Sequence, residues 1–464
     1  MNVVEVKGKM GIISRLERHE SAEGPASIAI IGAGYVAKGV LQTLSTTPAV
    51  APNIVVNRSV DRAIDAALES GVTRENLLVS DNPSELGQAV EAGKFVVTAD
   101  YSSLKEVAID IVVEATGALD YGTRVILDSL RAGRHVISYN AEVDSLLAWR
   151  FHSVADEHGV IYTIADGDQP GALFRLTEQV EAMGFQVKAM LNCKRHMNVH
   201  QNPGSGAEYS ARDTTSALMT TAFGDGTKMQ VEQAVVANAT GMAPSCRGMN
   251  GVETSVDSII DDTDGLWPEK MPQQSHIPSD EVVHGVVDYT LGGDFGAGVG
   301  VVATHPEGQH HKKAMSLYKM GDGPNYFFFR PYHLVHLELP LTVKDILLNG
   351  HGLATVQLPH VASVVAIAKK DLKSGGKLDG IGGYCAYGVI DTYEAATDYL
   401  PIALAEYATL TADVRQDEAI RLDAVDLDNS KLVVREWKML TELWKQTQPS
   451  KEEKLTRSQP ALEH

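Results

Sequence analysis

The apolar run Ile28-Ala29-Ile30-Ile31 passes without a break into Gly32-Ala33-Gly34-Tyr35-Val36-Ala37-Lys38-Gly39, and then into an amphipathic stretch carrying Val36, Val40, Leu41 and Leu44. That junction confines the fold. A strand buried on both faces has to end in a tight turn that opens a helix, the first unit of a parallel α/β sheet. Gly32 permits the turn, Gly34 lets main-chain N–H groups approach a ligand, and Ala37 keeps the helix close to the sheet. The unpaired N–H groups and the positive end of the helix dipole then offer a seat for a pyrophosphate, with Tyr35 and Val36 at its edge. The bare alternative is a strand-turn-helix that binds nothing.

The next apolar run, Ile54 to Val56, ends in Asn57-Arg58-Ser59. This lies about 25 residues past the first glycine, where an acid would hold the ribose hydroxyls of NAD. Arg58 stands there instead. A guanidinium stacks on adenine and pairs with a 2′-phosphate, and Asn57 and Ser59 add polar contacts, so the spacing predicts NADP(H) over NAD(H). The alternative has Arg58 solvated and Asp61 on the ribose.

The chain has 464 residues, 44% hydrophobic and 22% charged, which predicts a globular protein of about three domains. A formal net charge of −20 argues against nucleic acid, so any anionic ligand has to be met by a local cationic pocket. Cys193, Cys246 and Cys385 are widely spaced, which predicts neither a disulfide framework nor a thiolate zinc site and fits a reducing cytoplasm. A short amphipathic helix around Ile12, Ile13 and Leu16 is expected in place of a signal sequence. Leu462-Glu463-His464 reads as a tag remnant, and no apolar window is long enough to span a membrane.

Short branched-apolar runs at Phe95–Thr98, Asp110–Glu114, His135–Ser138 and Val160–Thr163 alternate with helical patterns at Tyr121–Leu130 and Asp144–His158. This predicts a doubly wound parallel sheet. Glu114-Ala115-Thr116-Gly117 closes one strand in a small-residue turn expected beside the nicotinamide. Gln186–Asn192 alternates like a half-exposed strand, a helix is expected around Met229–Ala239, and the run Tyr326-Phe327-Phe328-Phe329 reads as a core strand. A further helix is expected over Leu339–Leu348. The last hundred residues, rich in glycine turns, predict a small β-rich module followed by a polar tail that frays after about Trp444. The expected division is an N-terminal helix (1–26), a Rossmann NAD(P)-binding domain (27–165), an α+β substrate-binding, catalytic and dimerisation domain (166–350), a β-rich module (351–435) and a tail (436–464).

Val112-Val113-Glu114-Ala115-Thr116-Gly117 and Arg131-Ala132-Gly133-Arg134-His135-Val136-Ile137-Ser138-Tyr139-Asn140 resemble the coenzyme domain of homoserine dehydrogenases. The resemblance covers roughly residues 27 to 345, with Met190-Leu191-Asn192 and Asp225–Glu232 at the start of the substrate domain. It implies cofactor contacts at Ala115, Thr116, Gly117 and Asn140. The module carrying Ala368-Lys369-Lys370-Asp371-Leu372 and Asp379-Gly380-Ile381-Gly382-Gly383 resembles an SAF domain. Departures matter as much as the matches. Asn140 is followed by Ala141 and Glu142 where that family has a lysine, and the family's Gly-x-Asp-x-x-x-Lys is replaced by Gly226-Thr227-Lys228-Met229-Gln230-Val231-Glu232. Acid and base have traded places, which speaks against homoserine. With its SAF-like tail the chain is similar to the 1-deoxy-D-xylulose 5-phosphate reductoisomerase-like enzymes. That likeness implies NADPH-dependent conversion of 1-deoxy-D-xylulose 5-phosphate to 2-C-methyl-D-erythritol 4-phosphate, a step of isoprenoid precursor synthesis. A homoserine dehydrogenase-like or polyol or sugar-phosphate dehydrogenase is the neighbouring reading, and a dinucleotide-binding sensor without turnover is the remote one.

Reduction of a sugar-phosphate carbonyl needs an acid or cation near the developing alkoxide and fixed positive charge for the phosphate. Lys228 with Asp225 and Glu232, spaced to share a helix face, and Lys194 are the catalytic candidates. Arg195 and His196, with Asn192 and Glu142, are the substrate-binding ones. The bland readings are an exposed helix with a routine ion pair and a solvated strand end. A magnesium or manganese ion would help the rearrangement, with Glu142, Glu232, Asp294 and Asp322 as carboxylate donors of no diagnostic spacing. The expected partner is a phosphorylated small molecule, and the expected assembly a homodimer.

Overall fold

The computed structural model describes residues 11–206, 216–267, 285–306, 308–354, 356 and 359–447. The chain divides into two compact units, residues 1–141, 151–175 and 333–355 in one and 142–150, 176–332 and 356–464 in the other.

The first unit is an α/β layer built on a seven-stranded parallel sheet. Its strands are β1 (Ala26–Ile31), β2 (Val50–Val56), β3 (Leu77–Val79), β4 (Phe95–Thr98), β5 (Ile111–Glu114), β6 (His135–Ser138) and β7 (Tyr162–Ile164), in spatial order β3-β4-β2-β1-β5-β6-β7. Ile28 to Ile31 are fully buried, as expected of a strand covered on both faces. β3 escaped the sequence reading because it is a three-residue edge strand with no fully buried residue. The chain winds to one side of β1 and then returns to its other side at β5, so the strand order reverses between β1 and β5, where doubly wound sheets bind ligands. The helix after β1 spans Tyr35–Leu44 and packs Ala37, Val40, Leu41 and Leu44 into the core.

Residues His333 onward rejoin this unit late in the sequence. Leu339, Val343 and Ile346 enter the same core, and a Cβ at Gly39 would fall on the His336 ring. A glycine inside a helix costs about 1 kcal/mol against alanine, and this close approach is what requires it. The helix expected over Leu339–Leu348 runs Leu339–Lys344 and then widens into a π-type turn at Asp345–Asn349. There Asp345 and Asp166 both take the Arg175 guanidinium.

The second unit holds a five-stranded mixed sheet of β8 (Gln186–Lys194), β9 (Val252–Glu253), β10 (Val286–Leu291), β11 (Val299–Thr304) and β12 (Asn325–Arg330), ordered β12-β11-β8-β10-β9. The aromatic run lies on β12, with Phe327 stacked on Phe329. β8 is not half-exposed. It lies between β10 and β11, and Val187 and Ala189 to Cys193 are all buried. Ala189, Leu191 and Cys193 face an apolar cluster with Ile259, Phe295 and Phe327. The alternate positions meet the helix Thr227–Thr240, so alternation here marks two different covers instead of core and solvent.

That helix is buried from Thr227 to Asn238 although it carries lysine, glutamine, glutamate and asparagine. Its polar groups are matched to main-chain edges. Gln233 Nε2 donates to Met190 O at 2.9 Å, Thr227 Oγ1 accepts from Gly388 N at 2.8 Å, and Gln230 Oε1 accepts from Ile390 N at 2.9 Å. Asn238 Oδ1 accepts from Val361 N and Ala362 N, both at 2.9 Å. Gly388 and Ile390 belong to the hairpin of β13 (Ala362–Ala368) and β14 (Ala386–Thr392), and a second small pair, β15 (Ala408–Leu410) with β16 (Val425–Leu427), follows. Residues Leu432–Thr447 form a helix that buries Trp437, Leu440 and Trp444. The indoles anchor this face, and the helix ends at Thr447, so the tail expected to fray after about Trp444 lies almost wholly outside the described residues. The last seventeen positions, tag remnant included, lie outside the described residues.

Candidate active site

In the first unit the cofactor candidates gather at the reversal of strand order. Gly32 follows β1 with φ +118°, and a Cβ there would lie 2.8 Å from Ala115 O in the turn after β5. The two turns are therefore in main-chain contact, and only glycine fits. At Gly34 a Cβ would meet nothing within 4 Å, so the open space a pyrophosphate needs is present at the helix start. Tyr35 is 64% exposed beside it, with the His336 ring edge-on at 5.8 Å. Val36 follows in the same turn and packs at the edge of the core. A dinucleotide fits this cradle.

At the end of β2, Asn57 Nδ2 donates to Ser59 O at 2.7 Å, folding the loop so that Arg58 and Ser59 stand exposed. Asp61 sits in the first turn of the helix Val60–Glu69. After β5, Glu114 is fully buried and its carboxylate accepts from Thr116 N at 2.9 Å, shaping the Ala115-Thr116-Gly117 turn. Asn140, after β6, is also fully buried, and a Cβ at Gly122 would lie 3.0 Å from its Nδ2 and 3.2 Å from Glu114 Cδ. Nearby, burial and the carboxylates of Asp168, Asp166 and Glu338 hold the Tyr139 phenol well above its ordinary range.

The second unit brings together five of the polar candidates. Lys228, in the first turn of the buried helix, pairs its Nζ with Glu142 Oε1 at 3.0 Å, the side chains being 8% and 12% exposed. Sequence spacing had matched Lys228 with Glu232. The structure corrects this: Glu232, one turn on, accepts from Asn192 Nδ2 at 2.9 Å and lies 3.9 Å from Lys194 Nζ. Two lysines thus face two glutamates. Asn192 Oδ1 is buried with no hydrogen-bond partner among the described residues. Phe223 flanks Lys194, whose Nζ is 5.8 Å from the ring centre.

Asp225 is occupied elsewhere. Its Oδ2 takes the Lys369 ammonium at 2.7 Å and its Oδ1 accepts from Thr227 N at 2.8 Å. Burial pushes its carboxyl up against the opposing pull of Lys369. Arg195 and His196 lie exposed beyond the end of β8, so the basic triplet divides, with Lys194 at the cluster and its neighbours at the surface. The Cys193 thiol is pushed up to about 12 by burial, despite Lys194 beside it, and is not an activated nucleophile.

Glu142 and Glu232 are engaged as above, Asp294 accepts from Val256 N at 3.0 Å, and among the described residues no group of three or more His, Cys, Asp or Glu is placed to hold a metal. Among the same residues no helix is long and apolar enough to cross a membrane. Sequence reasoning gave Lys369 no role beyond the SAF-like motif and His336 no place beside the cradle, and Gly39 inside a helix was the one signal that a side chain had to approach there.

Two families match the chain. Oxidoreductase DRL, catalytic domain, matches residues 167–339, and the saccharopine dehydrogenase NADP binding domain matches residues 28–126. The chain is similar to homoserine dehydrogenase of Methylobacillus glycogenes, 34% identical over 74 residues that make up 16% of this chain and 18% of that protein. It therefore spans less than a fifth of that relative's length. Among solved structures it is similar to a probable dehydrogenase from Thermotoga maritima, with TM-score 0.40 and 11% identity over 71% of this chain and 91% of that one. Myo-inositol 2-dehydrogenase from Lactobacillus plantarum gives TM-score 0.38 and 14% identity over 70% and 89%. The 1-deoxy-D-xylulose 5-phosphate reductoisomerase from Zymomonas mobilis in complex with NADPH gives 0.33 and 18% over 46% and 57%. The NADP binding domain match covers the glycine cradle at the sheet's reversal point, the oxidoreductase match covers Lys194, Lys228 and Glu232 of the lysine–glutamate cluster, and the fold of the first unit is Rossmann-type.

Proposed function

We propose that the chain is an NAD(P)-dependent oxidoreductase that rearranges the carbon skeleton of a phosphorylated ketose and reduces the resulting aldehyde with NADPH, and that the ketose is 1-deoxy-D-xylulose 5-phosphate, converted to 2-C-methyl-D-erythritol 4-phosphate. The observation that carries the reading is the buried Lys228–Glu142 pair, 3.0 Å long, its lysine carried on the first turn of a helix buried from Thr227 to Asn238. The coenzyme, when bound, supplies the hydride. Lys228 is the proton donor: as the carbonyl electrons move onto oxygen, its ammonium gives up a proton and remains as an amine beside the Glu142 carboxylate. The pair is only 8% and 12% exposed, and low exposure to water strengthens its electrostatic effect on the developing alkoxide.

Asn192 Oδ1 accepts from a substrate hydroxyl, its amide held in orientation by Glu232. Glu232 is the carboxylate available to take a hydroxyl proton in the skeletal rearrangement. The phosphate is left for Arg195 and His196, which lie next to Lys194 in the chain and are exposed. The oxidoreductase DRL catalytic match spans Asn192, Lys194, Lys228 and Glu232, which supports placing the chemistry there. Arg58 at the end of β2 supports NADPH. We place the enzyme as a homodimer and route no step through a divalent ion.

The charge balance of the cluster favours a second reading, a polyol or sugar-phosphate dehydrogenase, because two lysines offset by two glutamates suit a neutral hydroxylated carbon. An NADPH oxidation assay across 1-deoxy-D-xylulose 5-phosphate, aspartate semialdehyde and a panel of ketose and aldose phosphates, with and without magnesium, tests both. Turnover of the deoxyxylulose phosphate is the expected result. Turnover of another member alone overturns the substrate, and no turnover by protein that binds NADPH overturns the enzyme reading.

A further inference from the structure

The buried helix Thr227–Thr240 is gripped at its first turn by a charge that arrives from far along the chain. Lys369 follows β13, and its side chain is 3% exposed. The ammonium donates to Asp225 Oδ2 at 2.7 Å, to Gln201 O at 2.6 Å and to Gly383 O at 2.9 Å. A lysine has three N–H donors and all three are used. The other oxygen of Asp225 accepts from Thr227 N at 2.8 Å, the amide immediately before Lys228. Gly383 belongs to the turn before β14, and β14 itself fixes Thr227 and Gln230 through the main-chain amides of Gly388 and Ile390.

We propose that Lys369 is a positioning residue for the reaction: through Asp225 it sets the start of the helix that presents Lys228 to Glu142, so the C-terminal module is a working part of the catalytic half. This rests on the reading of Lys228 as the proton donor. Lys369 is far from any role at the reacting atoms, since its three donors are spent on the protein. Its effect is transmitted by geometry. If the first turn shifts, Lys228 leaves the reach of Glu142, and a misplacement of about 1 Å at a reacting group costs about 10²-fold in rate.

The test uses the full chain in three forms, Lys369→Met, the double variant Lys369→Met with Asp225→Asn, and Lys369→Arg. The double variant leaves no unpaired buried charge, and the arginine form keeps the charge while its planar fork cannot converge on the same three acceptors. Each is expected to bind NADPH as the parent does and to lose about 10²-fold in kcat with KM little changed. The alkaline limb of the kcat profile is expected to move to lower pH, because an ammonium released from Glu142 gives up its proton more readily. That displacement of the limb is the readout a purely structural lysine would not produce. A folded variant with the parent's kcat and alkaline limb overturns the proposal, and the arginine form decides the matter if the other two do not fold. Lys228→Ala serves as the control: parental turnover in that variant would remove the reading of the site, which is a different failure from parental turnover in the Lys369 variants.

Discussion

The helix Tyr35–Leu44 and the helix Thr227–Thr240, each proposed to present charge to a ligand, are built by opposite means. The first buries an apolar stripe, Ala37, Val40, Leu41 and Leu44, and leaves its start open at Gly34 and Tyr35. The ligand contacts proposed for it are main-chain groups at one end, away from its buried stripe. The second is buried from Thr227 to Asn238, and most polar side chains along it have a matched partner, on β8, on β14, on the segment before β13 or, for Lys228, at Glu142. An unmatched polar group there costs about 1–3 kcal/mol. A site made of backbone tolerates change around it, and a site made of buried side chains does not.

The sharpest way to break this contrast is Lys228→Ala. Turnover is expected to fall by about 10³-fold, within the range of a lost general acid, with NADPH affinity measured by fluorescence unchanged. Parental turnover would leave the buried helix as scaffold alone. Next in size is a matched pair of substitutions. Gln233→Leu strips the donor that serves the Met190 carbonyl and is expected to lower unfolding free energy by about 2 kcal/mol. Gln42→Leu, on the exposed face of the Tyr35–Leu44 helix, is expected to stay within about 0.5 kcal/mol of the parent. Equal losses in denaturant melts would erase the distinction between the two helices.

The same distinction explains what could be read in the chain before its structure. The glycine cradle, its parallel sheet and the end of β2 were legible because their information is local: an apolar run, a turn and a helix start occupy Ile28 to Leu44. The lysine–glutamate cluster was legible in its members but not in its pairings. Spacing four apart on a helix pointed from Lys228 to Glu232, whereas the partner is Glu142, 86 positions away. No local pattern carries such a contact. The alternation in Gln186–Asn192 was read as core against solvent, and only the arrival of a polar helix on the second face shows why Asn192 is buried. Lys369 was read only as part of the SAF-like run Ala368–Leu372, which gave no signal of its destination.

Arg58 sharpens the comparison from the backbone side, since it is the one side chain on which the choice between coenzymes is proposed to rest. Arg58→Ala is expected to weaken NADPH by about 10-fold or more, the scale of a lost charge-assisted pair with phosphate. NADH affinity should hardly change. Calorimetric titration with both coenzymes checks this, and equal weakening of the two would move the ribose contact to Asp61.

The smallest effect concerns how each unit treats a buried base. In the second unit three acceptors surround the Lys369 side-chain nitrogen. In the first, His152 is packed against Tyr162 with ring centres 5.2 Å apart, and burial pushes its imidazole down to about 4. The unfolded chain binds that proton near pH 6.5 or so, and between the two values only the unfolded state is protonated. Its contribution to stability is therefore complete above the unfolded value and is lost as pH falls toward the folded one. The loss is expected to be on the order of 1 kcal/mol between roughly pH 7.5 and 5.5. Thermal melts of the parent and of His152→Phe over that interval should diverge, the variant losing less on the acid side. Parallel decline of the two would mean that His152 finds a proton-sharing partner when folded, and the contrast between a neutralised base in one unit and a solvated-by-protein base in the other would no longer hold.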